Sequence, residues 1–267
     1  RKGVQAHGVR FAADGCVLVP LRDATGALWN LQRIAPERPA DGTDKLFLKG
    51  GRKSGLWHWC GDPAGAQVLL IAEGYATAAS LHQATGRPVA VAFDAGNLAH
   101  VAKALRQQHR AALLVLCGDD DRNTEARTGT NTGRVKAENA ARAVRGLAVF
   151  PEGLPDGGSD FNDMHQAQGL QAVGACVEAA IAAHQAEQAK RAQQAPQGTT
   201  AGKGSTRTPH EPHGADGGHG GGNEPPSDSR PFDPFTINDS GVWHAGVDKD
   251  GQPKAPQWVC SRMDVEA

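Results

Sequence analysis

The sequence predicts an α/β protein, a parallel sheet flanked by helices and preceded by a small antiparallel β unit. Three observations predict it. After Ala66, continuous apolar runs alternate with helix-like stretches; before it, β-rich runs are joined by turn chemistry; and residues 192–230 are nearly free of large apolar side chains. Continuous apolar strands suit a sheet covered on both faces, and alternation of strand with helix is the pattern of parallel units.

In chain order, Cys16–Arg22 and Ala27–Ile34 read as two strands of a hairpin around the turn Asp23-Ala-Thr-Gly26. Two shorter extended pieces, Lys45–Leu48 and Leu56–Trp59, flank the Gly-rich basic loop Lys49-Gly-Gly-Arg-Lys-Ser-Gly55, which reads as flexible. The second pattern then begins. Strands are expected over Gln67–Ala72, Pro88–Phe93, Ala112–Cys117 and Leu147–Phe150. Helices are expected over Tyr75–Ala84, Leu98–Gln107, Thr132–Arg145 and, closing the unit, Leu170–Ala192. Residues 192–230, dense in Gly, Pro, Ser, Thr and His, cannot bury enough apolar surface to offset their ordering entropy and read as a disordered linker. A strand-rich segment starts near Pro231. The expected organisation is therefore 1–65, a β-rich subdomain; 66–191, the α/β domain with its closing helix; 192–230, linker; and 231–267, the start of a second β-rich domain. The chain opens at Arg1 without Met and stops soon after that new segment begins, so a fragment of a longer protein is expected.

A formal net charge of −1 gives no global attraction to a polyanion, so nucleic-acid binding would have to come from a local basic patch. The five cysteines, Cys16, Cys60, Cys117, Cys176 and Cys260, form no CxxC pair and no Cys/His cluster, which argues against zinc in this chain and for a reduced cytosolic setting. No run approaches the roughly 18 to 20 apolar residues of a membrane span and no signal-peptide pattern opens the chain, so a soluble cytoplasmic protein without membrane contact is expected.

In open parallel sheets the ligand crevice lies beyond the carboxyl ends of the strands. Three acidic features fall there: Glu73 after Leu69–Ala72, Asp94 after Val89–Phe93, and Asp119-Asp120-Asp121 after Leu113–Cys117. Carboxylates gathered in one crevice repel unless a cation or shared protons offset them. Mg²⁺ meets that need, with Mn²⁺ as an alternative, because it takes hard oxygen ligands and aligns phosphoryl groups. In Asp119-x-Asp121 the alternate residues reach one side while Asp120 points elsewhere. Glu73, at a neighbouring strand end, would bind a second metal or serve as general acid/base toward a ribose hydroxyl. The same residues have a plain structural reading: an acidic run after a strand is often a solvated loop or a helix cap, and Glu73-Gly74 suits a first-turn acid facing a helix dipole.

Taken in order, Ile71-Ala-Glu-Gly-Tyr-Ala-Thr-Ala-Ala79, Val91-Ala-Phe-Asp-Ala-Gly-Asn97, Leu116-Cys-Gly-Asp-Asp-Asp121, Gly133-x-x-Lys136-Ala-x-x-Ala140 and Asp160-Phe-Asn-Asp163 resemble the Toprim domain of plasmid- and phage-borne primases, over roughly Gly8 to Ile181. The resemblance implies a Toprim-like sheet and a Mg²⁺ site at Glu73, Asp119 and Asp121 as the catalytic residues. It implies primer synthesis by nucleotidyl transfer, with single-stranded DNA template and nucleotides as partners. A Toprim nuclease, or a non-catalytic module that binds nucleic acid or recruits a helicase, is the alternative. Asp94, Asp160, Asn162 and Asp163 are accessory candidates, the last three with a capping role as the competing reading. Lys49, Arg52 and Lys53 in the basic loop, and Lys136 on the helix after the acidic run, are candidate nucleic-acid or nucleotide contacts, or else solvated surface cations.

The segment Pro234-Phe-Thr-Ile-Asn-Asp-Ser-Gly-Val-Trp-His244 resembles the opening of a helicase-associated domain, which implies a helicase domain in the full-length chain or in trans. Other devices are missing. Gly198-Thr-Thr-Ala-Gly-Lys203 lacks P-loop spacing. The only tyrosine, Tyr75, sits in the acidic turn itself, which argues against a topoisomerase. His210, His213 and His219 read as an inert His-rich tract.

Overall fold

The computed structural model describes residues 2–40, 42–194, 235–238, 241–245 and 255–260. Four strands, β1 (Arg10–Phe11), β2 (Val17–Arg22), β3 (Leu28–Ile34) and β4 (Lys45–Phe47), make an antiparallel sheet in that order. Asp23 closes the expected hairpin: its Oδ1 accepts from the backbone N–H groups of Thr25 (2.9 Å) and Ala27 (3.1 Å), and its Oδ2 from Trp29 Nε1 at 2.7 Å. An aspartate that bonds to the backbone two residues on is a turn-maker in its own right.

The larger sheet has the order β5-β7-β6-β8-β9, with β5 at His58–Cys60, β6 at Val68–Ala72, β7 at Val89–Val91, β8 at Leu113–Cys117 and β9 at Leu147–Val149. The last four pair in parallel, while β5 runs antiparallel to β7 along one edge. Six helices accompany the sheet: α1 (Tyr75–Thr85), α2 (Leu98–Gln108), α3 (Arg122–Thr128), α4 (Thr132–Ala143), α5 (Phe161–Gln168) and α6 (Leu170–Gln194). All five residues of β6 are buried, so the strand feeds both faces. Leu69 and Ile71 join Leu114, Leu116 and the α2 and α4 residues Val101, Leu105, Ala137 and Ala141 in one core. Leu70 and Ala72 join Val89, Val115 and residues of α1, α5 and α6 in the other. Val19 and Leu21 of β2 belong to that second core, so the antiparallel sheet docks through apolar packing.

Local differences from expectation have physical causes. β7 stops at Val91, short of the expected Phe93, because Phe93 adopts φ 72° and turns the chain out of the sheet. Such a conformation is rare for a bulky residue; here the ring is buried and meets Phe47 edge-on, with ring centres 6.0 Å apart. Helices α3 and α5 appear where none is expected, both too short to show a full apolar period. The basic loop, expected to be flexible, is tied down by two buried amides. Asn30 donates to Arg52 O (3.0 Å) and accepts from Leu48 N (3.2 Å), while Asn97 accepts from Gly55 N (2.8 Å) and donates to Leu56 O (3.0 Å).

Residues 2–9 form a strap across α1 and α5, held by side chains. Lys2 O accepts from Asn162 Nδ2 (2.8 Å), Gln5 N donates to Gln83 Oε1 (2.9 Å), His7 N donates to the Tyr75 hydroxyl (2.8 Å), and His7 O accepts from His58 Nε2 (2.8 Å). The C-terminal residues show β10 (Phe235–Asn238), β11 (Gly241–His244) and β12 (Gln257–Cys260) as an antiparallel sheet. Helix α6 runs to Gln194, and the rest of the expected linker, with His210, His213 and His219, lies outside the described residues, as does much of the expected C-terminal domain. Among the described residues no helix is long and apolar enough to cross a membrane.

Candidate active site

The parallel register sets Ala72 beside both Val91 and Cys117, so the residues that follow these positions share one edge of the sheet. Between that edge and the antiparallel sheet lies a cavity of about 440 Å³, lined by Glu73, Asp119 and Asp160 together with Lys2 and Lys45. This is the size of an ordinary small-ligand site.

Asp119 is half-buried. Its Oδ1 is buried and has no hydrogen-bond partner. Burial pushes its carboxyl up to about 8, helped by the nearby charges of Glu73, Asp160 and Asp121 and opposed by Lys45. Glu73 is also raised, first by burial and then by Asp121; a backbone hydrogen bond from Ala95 opposes this, Asp94 adds to it, and Lys45 opposes it. Each acid thus feels the others, the condition that crowded carboxylates produce when no cation neutralises them.

Around Asp119 the loop is built to separate three neighbouring carboxylates. Asp120 turns away, as the alternation predicts: it is buried, accepts from Asn131 Nδ2 at 2.8 Å, and lies 3.5 Å and 3.4 Å from the guanidinium groups of Arg122 and Arg134. Asp121 Oδ2 accepts from Gly133 N (3.0 Å), and Asp121 N donates to Asn131 Oδ1 (3.0 Å). The start of α4 therefore grips this loop. Gly133 is required there, because a Cβ would come within 2.6 Å of Asp119 O.

The remaining candidates divide. Asp94 accepts from Asn97 N (2.9 Å) and pairs with Lys53, so that lysine and that acid hold each other. Arg52 lies over the Trp29 ring, 4.2 Å from its centre, and 3.9 Å from Asp23. Lys49 and Lys136 are exposed, Lys136 on α4. Asp160 and Asp163 form a capping box on α5: Asp160 Oδ1 accepts from Asn162 N (2.6 Å) and Asp163 N (2.9 Å), and Asp163 Oδ2 accepts from Ser159 N at 2.9 Å. Asn162 is fully buried, donating to Lys2 O and, at 2.9 Å, to Ser80 Oγ. Two contributors escape the sequence reading. Lys45, from β4, reaches the acids only because the two sheets dock, which no local pattern reveals. Asn131, in Thr-Asn-Thr-Gly before a helix, carries a cap signature that could have found it.

The donor set suits a hard divalent cation: oxygen atoms only, one of them buried and unpartnered. Among the described residues no group of three or more His, Cys, Asp or Glu side chains is arranged to hold a metal ion by itself.

Residues 68–171 match the Toprim domain family. Two Escherichia coli proteins named DNA primase TraC are 44% identical to this chain over 155 residues, the match taking 56% of this chain and 14% and 10% of theirs. The chain thus spans a small part of the curated relatives it matches. Among solved structures, the DnaG catalytic core is 22% identical, covering 62% of this chain and 53% of that one with a TM-score of 0.43. The DnaG primase catalytic domain bound to ssDNA is likewise 22% identical, covering 62% and 51% with a TM-score of 0.45. Glu73 and Asp119-x-Asp121 follow adjacent parallel strands inside the segment that is similar to the Toprim domain family.

Proposed function

We propose that this chain joins nucleotides into a primer on a single-stranded DNA template by metal-dependent nucleotidyl transfer. The observation that carries the reading is Asp119, a half-buried residue whose Oδ1 is buried and unpartnered and whose carboxyl is raised beside Glu73. Folding tolerates such a group where a ligand offsets its cost. The identity to the DNA primase TraC proteins favours primer synthesis over DNA cleavage.

Glu73, Asp119 and Asp121 would hold the divalent ion, Mg²⁺ or in its place Mn²⁺. When bound, that ion supplies positive charge to the nucleotide phosphates. The chain's own groups do the rest. Asn131 and Gly133 keep Asp121 in place, and Glu73, whose carboxyl is raised first by burial and then by Asp121, is the candidate to accept a proton from a hydroxyl nucleophile. Lys45, on the antiparallel sheet, faces the acids from across the cavity and is placed to meet phosphate. For the template, exposed Lys49 and Lys136 are contact candidates, and Arg52 and Lys53 would contribute with their side chains braced by Trp29 and Asp94. Asp160 and Asp163 serve as helix caps, and Asp160 adds negative charge to the cavity. The expected division at residues 65, 191 and 230, a cytoplasmic setting and a helicase partner complete the proposal.

The test is incorporation of labelled nucleotides on single-stranded DNA with Mg²⁺ or Mn²⁺. Synthesis by the unmodified chain, abolished in Asp119→Ala and Glu73→Gln while the circular dichroism spectrum is unchanged, is the expected result. Metal-dependent cutting of the DNA would replace the reading with a nuclease, and binding without turnover would replace it with a recruiting module.

A further inference from the structure

The cavity that holds the acids has a second wall of opposite character. Val9, Phe11, Val17, Ile34 and Pro36 line it from the antiparallel sheet and its flanks. Val9 is buried, and Val17 and Ile34 pack against the core, so this wall is a fixed part of the fold. Phe11 is different: its side chain stands at the cavity with 65% exposure.

A single exposed apolar residue usually needs no explanation. Position sets Phe11 apart. Leu46 and Val135, the other large apolar side chains exposed among the described residues, do not line the cavity. Phe11 belongs to β1, an edge strand of two residues whose backbone is pinned to Val17 and Leu18, so the ring is offered from an anchored position. Within the same cavity lie Glu73 and Asp119, which call for a cation, and Lys2 and Lys45, which suit phosphate. An aromatic face, a cation site and lysines around one space match two parts of a nucleotide, the base and the phosphates, the latter met by both cation and lysine.

We propose that Phe11 is a stacking platform for a nucleobase whose phosphates lie toward Glu73 and Asp119. The proposal rests on the nucleotidyl-transfer reading and adds to it the place of the base. Every base offers a π face, so such a platform holds a base without choosing among them. The ring therefore contributes affinity and orientation, and discrimination at this position falls to pairing with the template.

The experiment is a fluorescence titration of the chain, with Mg²⁺, against two probes: 2-aminopurine riboside triphosphate and a single-stranded oligonucleotide carrying one 2-aminopurine. Stacking quenches this fluorophore. Phe11→Leu is expected to weaken probe binding about tenfold, within the range that base–aromatic stacking supplies, and to remove the quench. Phe11→Trp should keep both, and Phe11→Leu should melt as the unmodified chain does because most of the ring is already exposed. An effect on the triphosphate assigns the platform to the incoming nucleotide, and an effect confined to the oligonucleotide assigns it to the template strand. Binding and quenching of both probes unchanged in Phe11→Leu would overturn the proposal. If Asp119→Ala still lost its Mg²⁺-dependent binding in that titration, the metal-site reading would stand alone. If the unmodified chain bound neither probe in a Mg²⁺-dependent way, both would fall.

Discussion

The loops at 119–121 and 160–163 use the same residue type to opposite ends. In the second, each aspartate is engaged by backbone: Asp160 Oδ1 takes two N–H groups, Asp163 Oδ2 takes that of Ser159, and the result is a capped helix. In the first, satisfaction is graded. Asp120 is bonded by Asn131 and flanked by two arginines, Asp121 receives one backbone N–H, and Asp119 Oδ1 is buried with none. Folding normally leaves no buried acceptor unmet. What sets Asp119 apart from the capping aspartates is therefore the partner its Oδ1 lacks, and neither composition nor spacing displays that.

The contrast is broken most directly at Asp119. Asp119→Asn should bring nucleotide incorporation to background yet raise stability without metal, on the order of 1 to 2 kcal/mol, since it removes a buried ionisable group in a repulsive cluster. A lower melting temperature in EDTA would place Asp119 with the structural aspartates. The pH dependence follows. With its carboxyl moved from the ordinary 3.8 to about 8, the folded chain keeps a proton that the unfolded chain releases. Metal-free stability should therefore fall as pH rises through that window, and urea melts at several pH values should show the slope reduced in Asp119→Asn or on addition of Mg²⁺. Asn131→Ala comes next. It removes the acceptor for Asp121 N and for Arg134 N, and metal affinity measured by calorimetry should drop about 10- to 100-fold, as for other groups that orient ligands. Asp160→Ala should cost about 1 kcal/mol as the loss of a helix cap and should weaken metal affinity by less than Asn131→Ala does, because a negative charge that attracts the cation leaves the cavity. The smallest effect is expected at Lys136→Ala: stability within about 0.5 kcal/mol and a modest loss of template affinity that grows at low salt. Affinity unchanged at every salt concentration would show that α4 does not meet the template.

Much of this was legible in the sequence. The apolar runs at 67–72 and 112–117 announced buried parallel strands, and the acids that follow them fell at one sheet edge because parallel register allows nothing else. The turning away of Asp120 followed from alternation. What could not be read were pairings between distant segments. β5 joins the larger sheet through β7, Lys45 reaches Glu73 and Asp119 from another sheet, and Lys53 is held by Asp94. Phe93 in a left-handed conformation also leaves no local mark, since its buried ring is what sustains it.

The antiparallel seat of β5 also governs how the molecule could be trimmed. A piece cut to residues 68–171 would lose β5, exposing the edge of β7, and would lose Leu21 and Leu56 from one side of the core and Val173, Val177 and Ile181 from another. A bare strand edge beside uncovered apolar surface invites self-association. The segment that family resemblance delimits is thus smaller than the unit that keeps its sheet edge and core covered, which needs the strap at one end and the first turns of α6 at the other.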